Sequence, residues 1–116
     1  MHELSIATSL LEIAGEELSK HGASRLISLR VHYGPLSNLL PEALAFAFES
    51  LTLEGKFKGA LLEIRQDPLV LNCGECRKDF TPEDSSLFSA CPFCSCEFFH
   101  QVVSGNEIYL DNMEAE

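Results

Sequence analysis

Between Leu4 and Leu18 the apolar residues Leu4, Ala7, Leu11, Ala14 and Leu18 recur every three or four positions. That spacing places them on one face of a helix. Ile6, Leu10 and Ile13 widen the stripe, and Glu12, Glu16 and Glu17 take the other side. Lys20 and His21 followed by Gly22 predict the stop, with cations at the negative helix end and a glycine suited to the cap. The period then changes. In RLISLRVHYG, Ile27, Leu29, Val31 and Tyr33 alternate with Ser28, Arg30 and His32, the pattern of a half-buried strand. GPLSN is a turn, and a second helix is predicted around Pro41, where a missing backbone donor costs nothing in the first turn. Its predicted buried stripe is Leu40, Leu44, Ala47, Phe48 and Leu51. EGKFKG reads as a loop, ALLEIRQ as a second strand, and EIYL from Glu107 as a third.

These elements predict an α+β fold, with two helices packed on a small three-stranded sheet. A cysteine-rich stretch, Asp67 to Ser104, separates the second strand from the third. It is predicted to be an inserted zinc-ribbon-like module of four cysteines. The expected organisation is a main domain of residues 1–67 plus 105–116 and a zinc-binding domain of residues 68–104.

Charge narrows the partners. The 116 residues carry 18 Asp and Glu against 8 Lys and Arg, a formal net charge of -10. This argues against nucleic acid or an anionic membrane surface as the main partner. No apolar run is long enough to cross a bilayer. The first residues lack a positive segment, and Glu3, Glu12, Glu16 and Glu17 interrupt any signal-like core. A cytoplasmic protein is expected, whose five cysteines are reduced thiols or metal ligands rather than a disulfide framework.

The strongest chemical signal is CGEC at Cys73 and Cys76 followed by CPFC at Cys91 and Cys94. A C-x-x-C turn aims both sulfurs at one centre, and Gly74 or Pro92 helps the chain bend. Two such turns facing each other suit tetrahedral zinc; the ligand set alone leaves iron as an alternative. Four thiolates leave no open position for catalysis, so the metal is expected to be structural and to hold the module folded. Cys96 reads as a spare thiol that could instead replace Cys94 as a ligand in an alternative state, and His100 reads as a surface or packing histidine rather than a ligand. Phe93, Phe98 and Phe99 are either a partner patch or, as is more usual in small zinc modules, a cover for the metal site.

The opening MHE carries a second chemistry. A free Met1 amine, the His2 backbone nitrogen and the His2 imidazole can chelate one metal in fused five- and six-membered rings. The backbone nitrogen or carboxylate of Glu3 could supply a fourth position. Nitrogen-rich square-planar ligation favours nickel(II) or copper(II) over zinc. Because amines and imidazoles must be neutral to bind metal, such a site is sensitive to acid, which suits handing a metal over.

Several motifs together carry a resemblance: MHELS at the start, a strand ending in Gly34, PEALAFAFE at the second helix, the two C-x-x-C pairs, and GNEIYL after them. In this order, from end to end, the chain resembles the HypA/HybF family of hydrogenase maturation factors, which deliver nickel. The resemblance implies a nickel-binding α+β domain and a zinc domain. It makes His2 the nickel histidine, with Met1 and Glu3 contributing through the terminal amine and backbone nitrogens. Zn(II) is then held by Cys73, Cys76, Cys91 and Cys94, and Ni(II) is a transferable cargo. The implied partners are a HypB-type GTPase and the large subunit of nickel-iron hydrogenase, with urease accessory proteins in some members. Cys96 and His100 depart from the family pattern. Glu42 is a further carboxylate for the nickel site on geometry alone, though it also reads as an ordinary first-turn acid.

The reading is a non-enzymatic nickel metallochaperone, monomer or homodimer, binding neither nucleic acid nor membrane. Its rivals are a zinc-ribbon adaptor, for which Arg77 and Lys78 are the only local cations, and a thiol redox switch using Cys94 and Cys96. No H-E-x-x-H, nucleophile–base pair or phosphate loop is present to favour an enzyme.

Overall fold

The first helical stripe forms α1, His2–Lys20, in a computed structural model that describes residues 2–83 and 86–116. Its buried residues are Glu3, Ala7, Leu10, Leu11, Ala14 and Leu18. The stripe therefore begins one residue earlier than predicted. Leu4 is 41% exposed, and the position four before Ala7 belongs to an acid. β1, Leu26–Tyr33, follows with Leu29 and Val31 buried, the face that alternation predicted; Leu26, out of phase with them, is buried too.

α2, Pro41–Leu51, has Pro at its start and an extended N-cap residue, Leu40, that makes no side-chain capping bond. Leu44, Ala47 and Phe48 are buried, whereas Leu40 is 63% exposed. The predicted stripe is thus too long at its amino end, because a residue in extended backbone no longer follows the helical period, and at its carboxyl end, where Leu51 closes the helix 37% exposed. α2 packs on α1. β2, Leu61–Gln66, and β6, Ile108–Ala115, complete a sheet of order β2-β1-β6. Arg25 exchanges backbone hydrogen bonds with Glu116 at one end of β1, and Gly34 donates to Glu107 at the other, so β6 is antiparallel to β1. β2 runs parallel to β1, since Arg30 pairs with Glu63 and, further along both strands, Asp67 N–H donates to Tyr33. α2 is the crossover that such a pair requires. The polar side of the sheet carries a charged ladder, in which Arg30 bonds Glu63 of β2 at 2.9 Å and His32 meets Asp111 of β6 at 3.0 Å.

The cysteine-rich stretch holds a second sheet that no sequence pattern predicted: β3, Val70–Asn72, β4, Asp79–Phe80, and β5, Gln101–Ser104, in the order β4-β3-β5. Both pairings are antiparallel, with Leu71 opposite Phe80 and Val102. Strands this short hold too few residues to show a period of two.

The chain divides into two compact units. One comprises the chain to His32, Leu39–Arg65 and Tyr109–Glu116; the other comprises Tyr33–Asn38 and Gln66–Ile108. Backbone bonds explain why the short segment after β1 joins the second unit. Tyr33 accepts from Asp67, Gly34 donates to Glu107, and Leu36 donates to Gly105 at 2.8 Å. Gly34 lies so close to Gly105 that a Cβ would come within 1.9 Å of its carbonyl oxygen, so no side chain fits there. The core of this second unit is small: Leu69, Leu71 and Phe80, joined by Cys73 and Cys91.

Candidate metal centre

The two C-x-x-C turns fold the same way. In the first, Arg77 N–H donates to Cys73 C=O at 3.1 Å, and Cys73 N–H donates to Lys78 C=O at 3.0 Å. In the second, Ser95 N–H donates to Cys91 C=O and Cys91 N–H to Cys96 C=O, both at 2.8 Å. Arg77 and Ser95, each just after the second cysteine of its pair, have φ of 63° and 67°. That left-handed residue turns the chain back so that the loop closes. Neither is a glycine, so the sequence held no mark of the residue that closes each turn. Within each turn one amide aims at the first sulfur, Glu75 N–H at Cys73 Sγ and Phe93 N–H at Cys91 Sγ, both at 3.4 Å.

The result is a cluster. The sulfurs of Cys73, Cys76, Cys91 and Cys94 all lie within 4.8 Å of one another, with Cys73–Cys94 at 3.4 Å and Cys76–Cys91 at 3.6 Å. Four sulfurs about 2.3 Å from a tetrahedral zinc stand roughly 3.8 Å apart, so the donor set fits that ion and leaves it no open position. Cys73 and Cys91 are buried and Cys94 is exposed.

Without a cation these thiols compete for charge. Burial opposes ionisation of Cys73, yet the Cys76 and Glu75 N–H groups and the thiols of Cys94 and Cys76 lower it to about 6. For Cys94 the Cys96 N–H favours the thiolate, but the shared bond with Cys73 and burial push it up to about 12. Cys76 is also raised: the Lys78 N–H favours its thiolate, and burial together with Cys91 and Cys73 outweighs that help. One negative charge is welcome here and four are not, a conflict that a divalent cation removes.

Cys96 lies outside the four and donates to Phe98 C=O at 3.3 Å. His100 also stands apart from the cluster. It donates through Nε2 to Ser89 C=O at 3.0 Å and meets Phe80 edge-on, the packing role rather than the surface one of the two expected. Phe93, Phe98 and Phe99 do not cover the metal site as small modules usually arrange; all three are exposed.

At the other candidate site Met1 lies outside the described residues. His2 opens α1 with its side chain 61% exposed. Glu3 is buried, and its carboxylate accepts the backbone N–H of Leu40 at 3.2 Å and stands 3.8 Å from His2 Nδ1. The Leu40 N–H, followed by Glu3's own N–H, holds this carboxyl below its ordinary range; burial opposes them and His2 adds to them. A link from the start of α1 to the start of α2 was missed in the sequence, although an acid four residues before Ala7 was the signal for it. Glu42, the other acid considered, is exposed in the first turn of α2. An open groove of about 550 Å³ beside α1, lined by Leu11, Glu12, Gly15, Lys56 and Phe57, contains none of these ligands.

A family model described as hydrogenase/urease nickel incorporation, metallochaperone, hypA, matches residues 1–115. The hydrogenase maturation factor HypA of Solidesulfovibrio magneticus is 44% identical over 117 residues, and that of Lawsonia intracellularis 42% over 118, each match covering 100% of both chains. The solution structure of the nickel metallochaperone HypA from Helicobacter pylori is similar at a TM-score of 0.67 and 27% identity, covering 97% of this chain and 96% of that one. A second HypA solution structure reaches 0.74 at 27% identity, covering 100% and 97%.

Proposed function

The chain belongs to the HypA family, nickel metallochaperones of hydrogenase maturation, and from that premise we propose that it binds Ni(II) at its first residues and hands it on. The ligands are the Met1 amine, the backbone nitrogens of His2 and Glu3, and the His2 imidazole. The observation that carries this reading is the tethered helix start. The N–H groups of His2 and Glu3 lie in the first turn of α1, where no intrahelical carbonyl claims them. They can lose their protons to a metal without breaking the helix. Two amidate nitrogens balance the ion's charge, which a positive helix end would otherwise repel. Glu3 adds a carboxylate already ionised by its Leu40 bond. An exposed imidazole beside a pinned neighbour makes a site that is both placed and reachable.

Zinc at Cys73, Cys76, Cys91 and Cys94 holds the second unit folded and takes no part in transfer. The recipient is the nickel-iron hydrogenase large subunit, reached with a HypB-type GTPase, and the same delivery extends to urease accessory proteins. The protein acts as a carrier and not as a catalyst. The test is nickel titration of untagged protein, of His2→Ala, and of a variant with residues added before Met1. Both changes should weaken nickel binding by more than the ~10–100-fold that supporting residues contribute, with zinc content unchanged. Unaltered nickel affinity in both would overturn the terminal site.

A further inference from the structure

The second unit turns four phenylalanines to solvent, Phe93 beneath Lys78 and three whose rings meet one another. Phe88, Phe98 and Phe99 are 68%, 56% and 89% exposed. Their rings form a chain, with centroids 6.3 Å apart for Phe88–Phe98 and 6.5 Å for Phe98–Phe99, each pair inclined at 62°. Phe99 sits at φ 66°, a conformation that bulky residues rarely adopt and that persists where the surroundings impose it. The surroundings are the first cysteine turn. Gly74 lies against the Phe99 backbone, and a Cβ there would come within 2.5 Å of the Phe99 oxygen. The metal-binding turn thus braces a strained residue whose ring contributes almost nothing to the core. Contiguous exposed aromatic rings on a small unit mark a contact surface.

Charge selects the occupant. Arg77 and Lys78 are the only Lys or Arg of residues 66–108, and Lys78 lies over the Phe93 ring at 4.9 Å. Glu97 precedes Phe98, and Glu75 follows Gly74, both exposed. A second copy of the chain would bring its own net charge of -10 and be repelled, as would an anionic lipid surface. We infer that the Phe88–Phe98–Phe99 face docks into an apolar pocket rimmed by Lys and Arg on a partner protein. Resting on the function proposed above, that partner is the hydrogenase subunit receiving nickel. The module then works as a docking foot, while the cargo sits on the other unit.

The experiment uses the full, untagged, zinc-loaded chain and purified hydrogenase large-subunit precursor, with binding measured at low and high salt. The wild type should bind, and less tightly as salt rises. Phe99→Gly should keep zinc, nickel affinity and a Tm equal to or above the wild type, because glycine suits a φ of 66°. It should nevertheless bind the precursor at least about tenfold more weakly. Phe88→Ser should weaken binding in the same direction. Wild-type binding that survives both changes overturns the docking face and leaves the nickel site standing. Binding indifferent to salt overturns the basic rim. Self-association of the wild type that disappears in Phe99→Gly overturns the choice of occupant. A wild type that does not bind the precursor overturns both this inference and the assigned recipient.

Discussion

The two candidate metal sites differ in how far apart in the chain their parts lie. Each cysteine turn is closed by bonds spanning four or five residues, Cys73 to Arg77 and Lys78, Cys91 to Ser95 and Cys96. The centre they form is buried on one side and has four sulfurs for one ion. The amino terminus is different. Its imidazole is exposed, and what places it is a bond between Glu3 and Leu40, 37 positions apart. A closed shell of four sulfurs suits a metal that is kept, whereas an open face with an exposed imidazole suits one that is released.

The contrast can be broken most forcefully at the closed site. Cys91→Ser should abolish stoichiometric zinc and unfold the second unit, since metal binding there is linked to folding by on the order of 10 kcal/mol and the core without its two cysteines is only Leu69, Leu71 and Phe80. Amide exchange should lose protection at Leu71 and Phe80 while α1 and α2 keep theirs. Persistent protection in the zinc-free variant would show that the small core suffices. A milder change is Gly74→Ala, which forces a Cβ toward the Phe99 oxygen. Thermal unfolding of the zinc-loaded protein should show a loss of about 1–3 kcal/mol, the usual cost of overpacking, with nickel affinity unchanged.

The smallest expected effect belongs to the open site. Glu3 is held below its ordinary carboxyl range in the fold, first by the Leu40 N–H. Its contribution is therefore fully present above the unfolded carboxyl range, near ~4.3, and is lost as pH falls through the lowered folded value. Glu3→Gln should remove that acid dependence, measured as amide exchange at Leu40 against pH, and weaken nickel by about tenfold. Equal exchange profiles for the two proteins would mean that the carboxylate does not tether the helix start.

Much of the architecture was legible because its signals are local. The α1 and α2 stripes, the alternation of β1 and the spacing of four cysteines each repeat within a few residues. The misses share a cause. Leu40 joined the α2 stripe on paper because spacing does not reveal where helical backbone begins. Leu4 displaced Glu3 because an acid in a buried position looks like an error until its partner is known. β3, β4 and β5 were invisible because strands of three, two and four residues carry no readable period. Phe98 and Phe99 were expected to cover the metal site, since apolar composition argues for burial and says nothing of a strained backbone that turns the rings outward.

By itself, then, the amino-acid order determined the two helices, the three strands of the main sheet and the two C-x-x-C turns, because each of these signals repeats within a few residues. Tertiary structure alone decided that Glu3 is a buried tether, that Tyr33–Asn38 belongs with the cysteine turns, and that the rings of Phe88, Phe98 and Phe99 face solvent side by side. Each of these depends on a meeting between distant segments, Glu3 with Leu40, Gly34 with Gly105, Gly74 with Phe99. Hydrogen-bond geometry and steric exclusion act on such pairs only after the chain has folded, and a linear pattern carries no record of them.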